Sequence, residues 1–356
     1  MHTLPPLDSA ELGEQLTRPA ALAGLAPAPG QAPSSASASA TAHAHIVDFD
    51  PEQRLATFLA PLAGLASLPC AVVHPCDAES LRGALDAQAV GLIHAVLVAP
   101  LARLRAVAAE HGLDLAGATL VDVPHSHAAA QKAVAMAAAG EVGALMKGSL
   151  HTDELMHEVV ACAQLRTKRR MSHVFRIDAP LHDRPLLLSD AALNIRPGLN
   201  EKVDIVANAV DVAHALGLAR PRVAILSAVE TVNDKLVSTL DAAALCKMAD
   251  RGQIAGALLD GPLAFDNAVS LEAAERKGLQ RSQVAGRADV LIVPDLESGN
   301  MLAKQLEYMG GAQCCGIVLG ARVPIALTSR SDGAVARLAS AGLVRYLAHW
   351  YEKHRP

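Results

Sequence analysis

The stretch HAAAQKAVAMAAAGEVGALMKGSLHTDELMHEVVAC, residues 127–162, decides the fold class. Helical patterns occupy 127–139 and 153–162, and the apolar run at 144–146 between them is typical of a strand. Strands that alternate with helices of ~10–15 residues predict right-handed βαβ units and a mostly parallel sheet. The strand is apolar throughout, which indicates a sheet covered by helices on both faces. We therefore predict an α/β fold.

The same alternation covers most of the chain from residue 46 onward. Short apolar runs predict further strands at 71–73, 95–98, 119–123, 174–177, 186–188, 223–226, 257–259, 290–293, 317–319 and 325–327. Helical patterns lie between them at 80–88, 101–111, 199–216 and 242–251, and a last helix is predicted over 333–348. About eleven strands are more than one open sheet usually holds, so we predict two α/β domains.

The N-terminal part of the chain has a different composition. Residues 26–45 (APAPGQAPSSASASATAHAH) are low-complexity sequence, and their small side chains bury too little surface to offset the entropy lost on ordering. We expect residues 1–45 to form a disordered extension. No signal-peptide pattern is present and the six cysteines are too scattered for a disulfide framework, so we expect a cytoplasmic protein.

Composition excludes two classes of partner. The chain carries 31 Lys+Arg against 36 Asp+Glu and only 2% aromatic residues, whereas a nucleic-acid-binding protein needs a basic face and often stacking aromatics. The apolar run at residues 89–102, which contains His94 and Pro100, is shorter than the ~18–20 apolar residues that span a membrane. We expect no nucleic-acid partner and no membrane partner.

Residues that follow the predicted strands are candidates for a binding site, because ligands of such folds bind beyond the carboxyl ends of the strands. The segment 147–153 (KGSLHTD) suits an anion. Lys147 supplies a charge, Gly148 lets backbone N–H groups approach, and Thr152 or Asp153 is predicted to cap the next helix. An ordinary strand-to-helix turn explains the segment equally well.

Two further segments place positive charge where an anion can bind. In TSRSD, residues 328–332, Arg330 offers a planar guanidinium that suits phosphate or a developing oxyanion. Asp332 either orients Arg330, accepts a proton or caps the last helix. The cluster RTKRR, residues 166–170, is either a solvated face or an anchor for a nucleotide phosphate such as those of coenzyme A.

Several common sites are missing from the sequence. The histidine pairs at 43/45 and 125/127 have no carboxylate or cysteine at ligand spacing, so we expect no metal site. No GxGxxG follows a predicted strand and no GxSxG is present. The cysteines lie mostly in apolar runs and are predicted to be buried structural thiols.

Seven segments, in order along the chain, resemble one family. They are LMKGSLHTDELM (145–156), RTKRRMSHVF (166–175), LLLSDAALNIRP (186–197), AILSAVETVNDKLVSTLDAA (224–243), MADRGQIAGALLDGPLAFDNAVS (248–270), PDLESGNMLAKQL (294–306) and GIVLGARVPIALTSRSD (316–332). They are similar to the phosphate acetyl/butyryl transferases, and most similar to the transferase half of bifunctional enoyl-CoA hydratase/phosphate acetyltransferases. The resemblance covers the chain from about residue 71 to its end.

This resemblance implies two three-layer α/β/α domains with a cleft between them, as in the isocitrate and isopropylmalate dehydrogenases. Residues 46–168 and 320–356 form the first domain, and residues 169–319 form the second. A homodimer is implied, which reversibly transfers an acetyl or short acyl group such as butyryl between coenzyme A and inorganic phosphate. No metal or other bound cofactor is expected. The extension is too short to be the hydratase module of the fusion proteins, so we expect no hydratase activity.

The resemblance also implies roles for single residues. Ser329 and Arg330 match the family's Ser-Arg pair, which binds phosphate and stabilises the tetrahedral intermediate. Residues that match the substrate cleft are Lys147, Gly148, His151, Thr152, Asp190, Asn194, Asp260, Gly261, Asn300 and Lys304. Acetyl-specific relatives carry an aspartate beyond the Ser-Arg pair, where this chain reads GAVA (333–336). Asp332 is therefore the predicted base, with the substrate phosphate as its rival.

A second departure concerns coenzyme A. Relatives place an arginine in the helix after the His-Thr loop, and this chain has none there. Coenzyme A is therefore predicted to bind Arg166, Arg169 or Arg170.

Two other functions stay open from the sequence. A metal- and NAD-dependent decarboxylating dehydrogenase has the implied fold, but the chain lacks the clustered aspartates and the arginine triad of that class. A catalytically weak coenzyme A-binding module is the third hypothesis, because the usual aspartate is missing. The preferred acyl length cannot be read from the sequence, since one methylene changes binding by only ~1–3 kcal/mol.

Overall fold

A computed structural model describes residues 49–328 and 332–354 of the chain. All eleven predicted strands are confirmed, and each begins and ends within four residues of its predicted bounds. The strands are β1 (Leu68–Val73), β2 (Ile93–Ala99), β3 (Thr119–Asp122), β4 (Ala144–Lys147), β5 (Ser172–Asp178), β6 (Leu186–Ser189), β7 (Arg222–Leu226), β8 (Leu258–Leu263), β9 (Val290–Ile292), β10 (Gln313–Leu319) and β11 (Ile325–Ala326).

Helices connect these strands. They are α1 (Pro51–Leu59), α2 (Ala78–Ala89), α3 (Leu101–Glu110), α4 (Ser126–Ala139), α5 (Thr152–Ala161), α6 (Leu199–Ala215), α7 (Val237–Asp250), α8 (Phe265–Val269), α9 (Leu271–Arg276), α10 (Leu296–Tyr308) and α11 (Ala334–Tyr351). The seven helices predicted from the sequence are confirmed. Four of these helices, α1, α8, α9 and α10, were not predicted. The start of α1 carries a readable signal: Asp50 accepts hydrogen bonds from the N–H groups of Glu52 and Gln53, and Pro51 opens the helix.

One continuous sheet contains all eleven strands, in the order β3-β2-β1-β4-β11-β10-β5-β6-β9-β7-β8. This is more strands than one open sheet usually holds. Seven of the ten strand pairings are parallel, so the predicted mostly parallel sheet is confirmed. The division into two domains stays a prediction.

The direction of the strands changes in the middle of the sheet. β5 and β10 pair antiparallel with each other, and each pairs antiparallel with its outer neighbour, β6 or β11. β3, β2, β1, β4 and β11 therefore run one way, while β6, β9, β7 and β8 run the other way. Because of this reversal, the carboxyl ends of the two parallel groups lie at opposite edges of the sheet. Residues that follow the strands of the two groups therefore do not meet at one edge of the sheet.

The hydrophobic core is aliphatic and rich in alanine, as the composition predicts. On one face of the sheet a single core spans both parallel groups, and α2, α6, α7 and α11 pack there. The other face carries two separate cores, one under α4 and α5 and one under α8, α9 and α10. The boundary between these two cores crosses β10 and β5, since Val318 belongs to the first core and Ile177 to the second. Among the described residues, no helix has the length and apolar content to cross a bilayer.

Candidate active site

Lys147 and the loop after it form the first part of the candidate site. Lys147 ends β4, is 6% exposed, and its ammonium donates hydrogen bonds to the carbonyl oxygens of Gly148 (3.2 Å) and Leu150 (3.3 Å). A Cβ on Gly148 would lie 2.5 Å from the carbonyl oxygen of Val73, so only glycine fits where this loop packs against the end of β1. The loop is therefore held tightly against the neighbouring strand.

His74, which follows β1, was not assigned a role from the sequence. Its backbone has a φ of 55°, in the left-handed region that non-glycine residues rarely adopt. Its Nδ1 lies 3.1 Å from the hydroxyl of Ser149, and that hydroxyl donates to the His74 carbonyl oxygen at 2.8 Å. Burial lowers the pKa of His74, Arg103 lowers it further, and Glu154 opposes the shift. A neutral imidazole therefore fixes the loop that contains Ser149.

The helix after this loop is not capped as predicted. His151 is the N-cap residue of α5, with an extended backbone and no side-chain capping bond. The helix begins at Thr152, one residue before the predicted start at 153. Thr152 and Asp153 therefore lie in its first turn. The expected cap by Thr152 or Asp153 is therefore wrong. His151 is exposed, and Thr152 is half-buried.

Thr328 joins the end of β11 to the end of β4. Its hydroxyl donates to the carbonyl oxygen of Lys147 at 3.3 Å and accepts a hydrogen bond from Nη1 of Arg337 at 3.1 Å. Nε of Arg337 donates to the carbonyl oxygen of Asp332 at 3.0 Å. We call Lys147, Gly148, Thr328 and Asp332 the strand-end corner. The predicted catalytic residues Ser329 and Arg330 lie outside the described residues.

Lys304 lies on α10, where the charge of Asp332 from the strand-end corner acts on it. Its ammonium pairs with Glu307 at 2.8 Å and lies 5.4 Å from the ring centre of Tyr308. Burial works against the charged form of Lys304, but the bond to Glu307 and the charges of Glu307, Tyr308 and Asp332 outweigh it and raise its pKa. Asn300, one turn earlier, is exposed and donates to the carbonyl oxygen of Ala191 at 3.2 Å.

A second polar site lies at the opposite edge of the sheet. A cavity of about 420 Å³ there has Arg166, Arg169, Arg170 and Asn194 in its wall, and we call these four residues the arginine pocket. Its apolar wall consists of Met156, Val159, Val160, Leu165, Met171 and Leu193. A mostly apolar cavity with a few polar groups is the usual composition of a small-molecule site. The structure therefore brings the three predicted coenzyme A ligands together.

Each arginine of this pocket has a partner. Nε of Arg166 donates to the carbonyl oxygen of Val160 at 2.9 Å, Arg169 pairs with Asp211, and Arg170 pairs with Glu201 at 2.6 Å. Burial raises the pKa of Asp211 although the Arg169 charge opposes it. A guanidinium has five N–H groups, so these arginines keep donors beyond the bonds named here.

Asn194 and Asp190 hold the pocket's loop. Asn194 accepts from Nε of Arg170 and donates to the carbonyl oxygen of Met171 at 2.9 Å and to the carboxylate of Asp190. That carboxylate also accepts the backbone N–H groups of Ala192, Leu193 and Asn194, at 2.9, 3.1 and 3.2 Å. Four N–H donors satisfy one carboxylate, so Asp190 anchors the loop after β6.

Asp260 and Gly261 lie elsewhere. The sequence placed them after a strand, but β8 continues through both residues to Leu263, with a register shift against β7. The strand can continue through both residues because β8 is the outermost strand of the sheet. An outermost strand tolerates the proline at 262, whose missing N–H is not needed for pairing there. Asp260 accepts from the Ser282 hydroxyl and the Gly261 N–H. Seven strand spacings, roughly 30 Å, separate β8 from β4, so these residues do not join the corner.

His173 lies over the centre of the sheet, between the two sites. It is 1% exposed, sits on β5 opposite Val318 of β10, and its Nδ1 has no hydrogen-bond partner. The centres of the His173 and Phe175 rings lie 4.3 Å apart. The His173 ring also fills the space above Gly316, where a Cβ would clash with it. Burial lowers the pKa of His173 to about 4, although Asp190 opposes the shift. No sequence pattern indicates a role for His173, because its burial depends on β10.

The prediction of buried cysteines is confirmed for Cys70, Cys76 and Cys315, whereas Cys162, Cys246 and Cys314 are half-buried. All six cysteines are free thiols, and burial raises the pKa of Cys70, Cys314 and Cys315 to about 12. No group of three or more His, Cys, Asp or Glu side chains within 49–328 and 332–354 is placed to hold a metal ion.

Comparison with known proteins gives a consistent result. Residues 125–339 match the protein family described as "Phosphate acetyl/butaryl transferase". A phosphate acetyltransferase from Rhizobium meliloti is 61% identical over 278 residues, which are 78% of this chain and 88% of the relative. A phosphate butyryltransferase from Clostridium acetobutylicum is 41% identical over 279 residues, which are 78% of this chain and 92% of the relative.

Solved structures agree with these relatives. The crystal structure of a branched-chain phosphotransacylase from Enterococcus faecalis V583 matches with a TM-score of 0.70 and 30% sequence identity. The match covers 79% of this chain and 99% of that one, so the fold is shared over nearly the whole length of the solved protein.

Proposed function

The chain belongs to the phosphate acetyl/butyryl transferase family, and we propose that its strand-end corner is where it transfers an acyl group between coenzyme A and inorganic phosphate. The protein is an acyltransferase of this family, and the reaction is reversible. Whether acetyl, butyryl or another short acyl group is preferred depends on the shape of the cleft.

One observation carries the proposal. The carboxyl ends of the adjacent parallel strands β4 and β11 are joined by the hydrogen bond from Thr328 to the carbonyl oxygen of Lys147. This bond holds Thr328, the residue just before Ser329 and Arg330, against the strand end that carries the buried Lys147. Cations at such a strand end suit a phosphate dianion and the oxyanion that forms during acyl transfer.

The reaction assigns a task to each group of the corner. A phosphate oxygen attacks the thioester carbonyl carbon, a tetrahedral oxyanion forms, and the carbon–sulfur bond breaks to release the thiolate. Arg330 and Lys147 bind the phosphate and the oxyanion, and Ser329 donates a hydrogen bond to one of them. In the reverse direction the coenzyme A thiol must lose its proton before it attacks acyl phosphate, and Asp332 accepts that proton.

Coenzyme A binds in the arginine pocket in this proposal. Arg166, Arg169 and Arg170 donate to its phosphates, and the apolar wall formed by the end of α5 contacts its pantetheine arm. The two sites are linked by α5, which starts after the Lys147 loop and ends at the pocket. Ten helical residues span about 15 Å, a distance that a long flexible arm can bridge.

The proposal includes the assembly and the setting of the protein. We propose two domains, residues 46–168 with 320–356 and residues 169–319, that form a homodimer in the cytoplasm and bind no cofactor. Support for the two domains comes from the two separate cores on one face of the sheet and from the adjacent chain crossings, where the Thr167 hydroxyl donates to the carbonyl oxygen of Gly320 at 2.7 Å. Free thiols throughout suit a reducing compartment.

A thiol-release assay tests the function. The purified protein is mixed with acetyl-, propionyl- or butyryl-CoA, with and without phosphate, and free thiol is measured. We expect release only when phosphate is present, with one chain length giving the highest kcat/KM. Release that does not depend on phosphate, or no release with any of the three thioesters, would contradict the proposal.

A further inference from the structure

Arg337 has no role in any step described so far, yet it is one of the most constrained cations of the fold. It lies in the first turn of α11 and is 5% exposed. Its Nε donates to the carbonyl oxygen of Asp332 at 3.0 Å, and its Nη1 donates to the hydroxyl of Thr328 at 3.1 Å. One guanidinium therefore connects the two residues that stand on either side of positions 329–331.

The hydrogen bonds continue from Arg337 to the other strand of the corner. The Thr328 hydroxyl, which accepts from Arg337, donates to the carbonyl oxygen of Lys147 at 3.3 Å. These hydrogen bonds connect α11, the end of β11 and the end of β4. A change in the position of the guanidinium therefore shifts Asp332 and Thr328 relative to Lys147.

A neighbouring helix leaves room for this side chain. Gly83, in the middle of α2, faces Arg337, and a Cβ there would lie 2.9 Å from Cδ and 3.1 Å from Cβ of the arginine. Glycine inside a helix weakens it, so its presence indicates a packing requirement. A buried guanidinium also needs its hydrogen bonds, because an unsatisfied charge in the interior is costly. The position of Arg337 is thus fixed from both sides.

We propose that Arg337 is a positioning residue for acyl transfer, which sets the place of Asp332 and Thr328 relative to Lys147. The proposal rests on the function proposed above. Arg337 contacts no substrate in this role and acts through the groups that it holds. Lysine cannot replace it, since a single ammonium nitrogen cannot reach both acceptors in the planar arrangement of a guanidinium.

The experiment compares two conservative variants on the same helix. Arg337→Lys keeps the charge but loses the paired geometry, and Arg345→Lys is the control. Arg345 is also 5% exposed, lies two turns further along α11, and donates to the carbonyl oxygen of Ala66 at 3.1 Å, away from the corner. We expect Arg337→Lys to lower kcat by about 10- to 100-fold with KM for acyl-CoA within twofold of wild type, because misplaced groups slow the chemical step. Arg345→Lys should keep the wild-type kcat.

Thr328→Val provides a second route if Arg337→Lys does not fold. It removes the hydroxyl between Arg337 and Lys147, and we expect a loss of kcat with the same unchanged KM for acyl-CoA. In the double variant the losses should be less than multiplicative, because both changes break the same connection. Equal kcat values for Arg337→Lys, Thr328→Val and wild type would overturn the proposal. So would fully multiplicative losses.

Hydrogen exchange supplies a readout that does not depend on activity. Without substrates, the amides of Thr328 and of residues 332–336 should exchange faster in Arg337→Lys than in wild type or Arg345→Lys. If the wild-type protein shows no phosphate-dependent thiol release, the proposed function is refuted. The exchange measurement would still decide whether Arg337 orders this segment. Active wild-type protein with unchanged exchange in Arg337→Lys would refute only the positioning role.

Discussion

The strand-end corner and the arginine pocket both present cations, but they hold them in different ways. Lys147 and Arg337 at the corner are buried and donate to carbonyl oxygens and a hydroxyl. The pocket's Arg169 and Arg170 have side chains 31% and 51% exposed and pair with carboxylates. An exposed ion pair is weak and can exchange partners, whereas a buried cation cannot move without losing its bonds. The corner therefore suits exact placement of reacting groups, and the pocket suits capture of a ligand.

The largest effect is expected for Arg330. If the corner places the reacting groups, Arg330→Ala should lower kcat by about 100-fold or more, because it removes a charge that stabilises the oxyanion. The measurement is the thiol-release rate at saturating substrates. Arg322→Ala is the control, since Arg322 is exposed and precedes β11. A wild-type rate in Arg330→Ala would remove this residue from the mechanism.

A smaller effect is expected from His173, which lies between the two regions. Burial lowers the pKa of His173 to about 4, from 6.5 in the unfolded chain. Between these pH values the unfolded chain binds a proton that the folded protein does not bind, so stability falls as pH falls, by ~1.4 kcal/mol per pH unit. Wild-type protein should therefore lose about 2 kcal/mol of unfolding free energy between pH 6.5 and 5 from this group.

Denaturant titration at both pH values measures that loss. In His173→Gln the decrease should be smaller by about the same amount. His111→Gln, at an exposed position, controls for the loss of one imidazole. An unchanged pH dependence in His173→Gln would show that His173 does not titrate as a buried neutral group.

The smallest of the three effects is expected in the pocket. Arg166→Ala should raise KM for acyl-CoA by about tenfold and leave kcat nearly unchanged, because a lost charge-assisted bond to a distant phosphate weakens ground state and transition state alike. Lys168→Ala is the control, since Lys168 belongs to the same basic cluster but does not line the cavity. If Arg166→Ala instead lowers kcat and keeps KM, the proposed contrast between the two regions is wrong.

Local sequence patterns were sufficient to predict the strands and seven of the helices, but they did not indicate α1, α8, α9 or α10. The short aliphatic runs of β2 and β9, for example, are typical of strands that are buried on both faces of a sheet. The reversal at β5 and β10 could not be predicted, because it arises from pairing between residues 172–178 and 313–319, which are far apart in the chain. For the same reason the sequence could not show that strand ends divide between two edges.

The candidate site was predictable only in part. The Lys147 loop is recognisable because charge and glycine follow a short strand. Asp260 was misplaced, since nothing in the sequence shows that β8 is an edge strand that continues through it. Arg337 looks like an ordinary helix residue, and its burial depends on Gly83 of a helix some 250 positions earlier.

The position of β11 and α11 has a consequence for biosynthesis. β11 is inserted between β4 and β10, although residues 325 and 326 are made long after β4. During translation, one edge of β4 therefore stays unpaired until residues 325 and 326 leave the ribosome. An unpaired strand edge can pair with other chains and cause aggregation. Chains that end near residue 320 lack β11 and α11. We therefore expect chaperones to retain these truncated products and proteases to degrade them, and we expect them to have no acyltransferase activity.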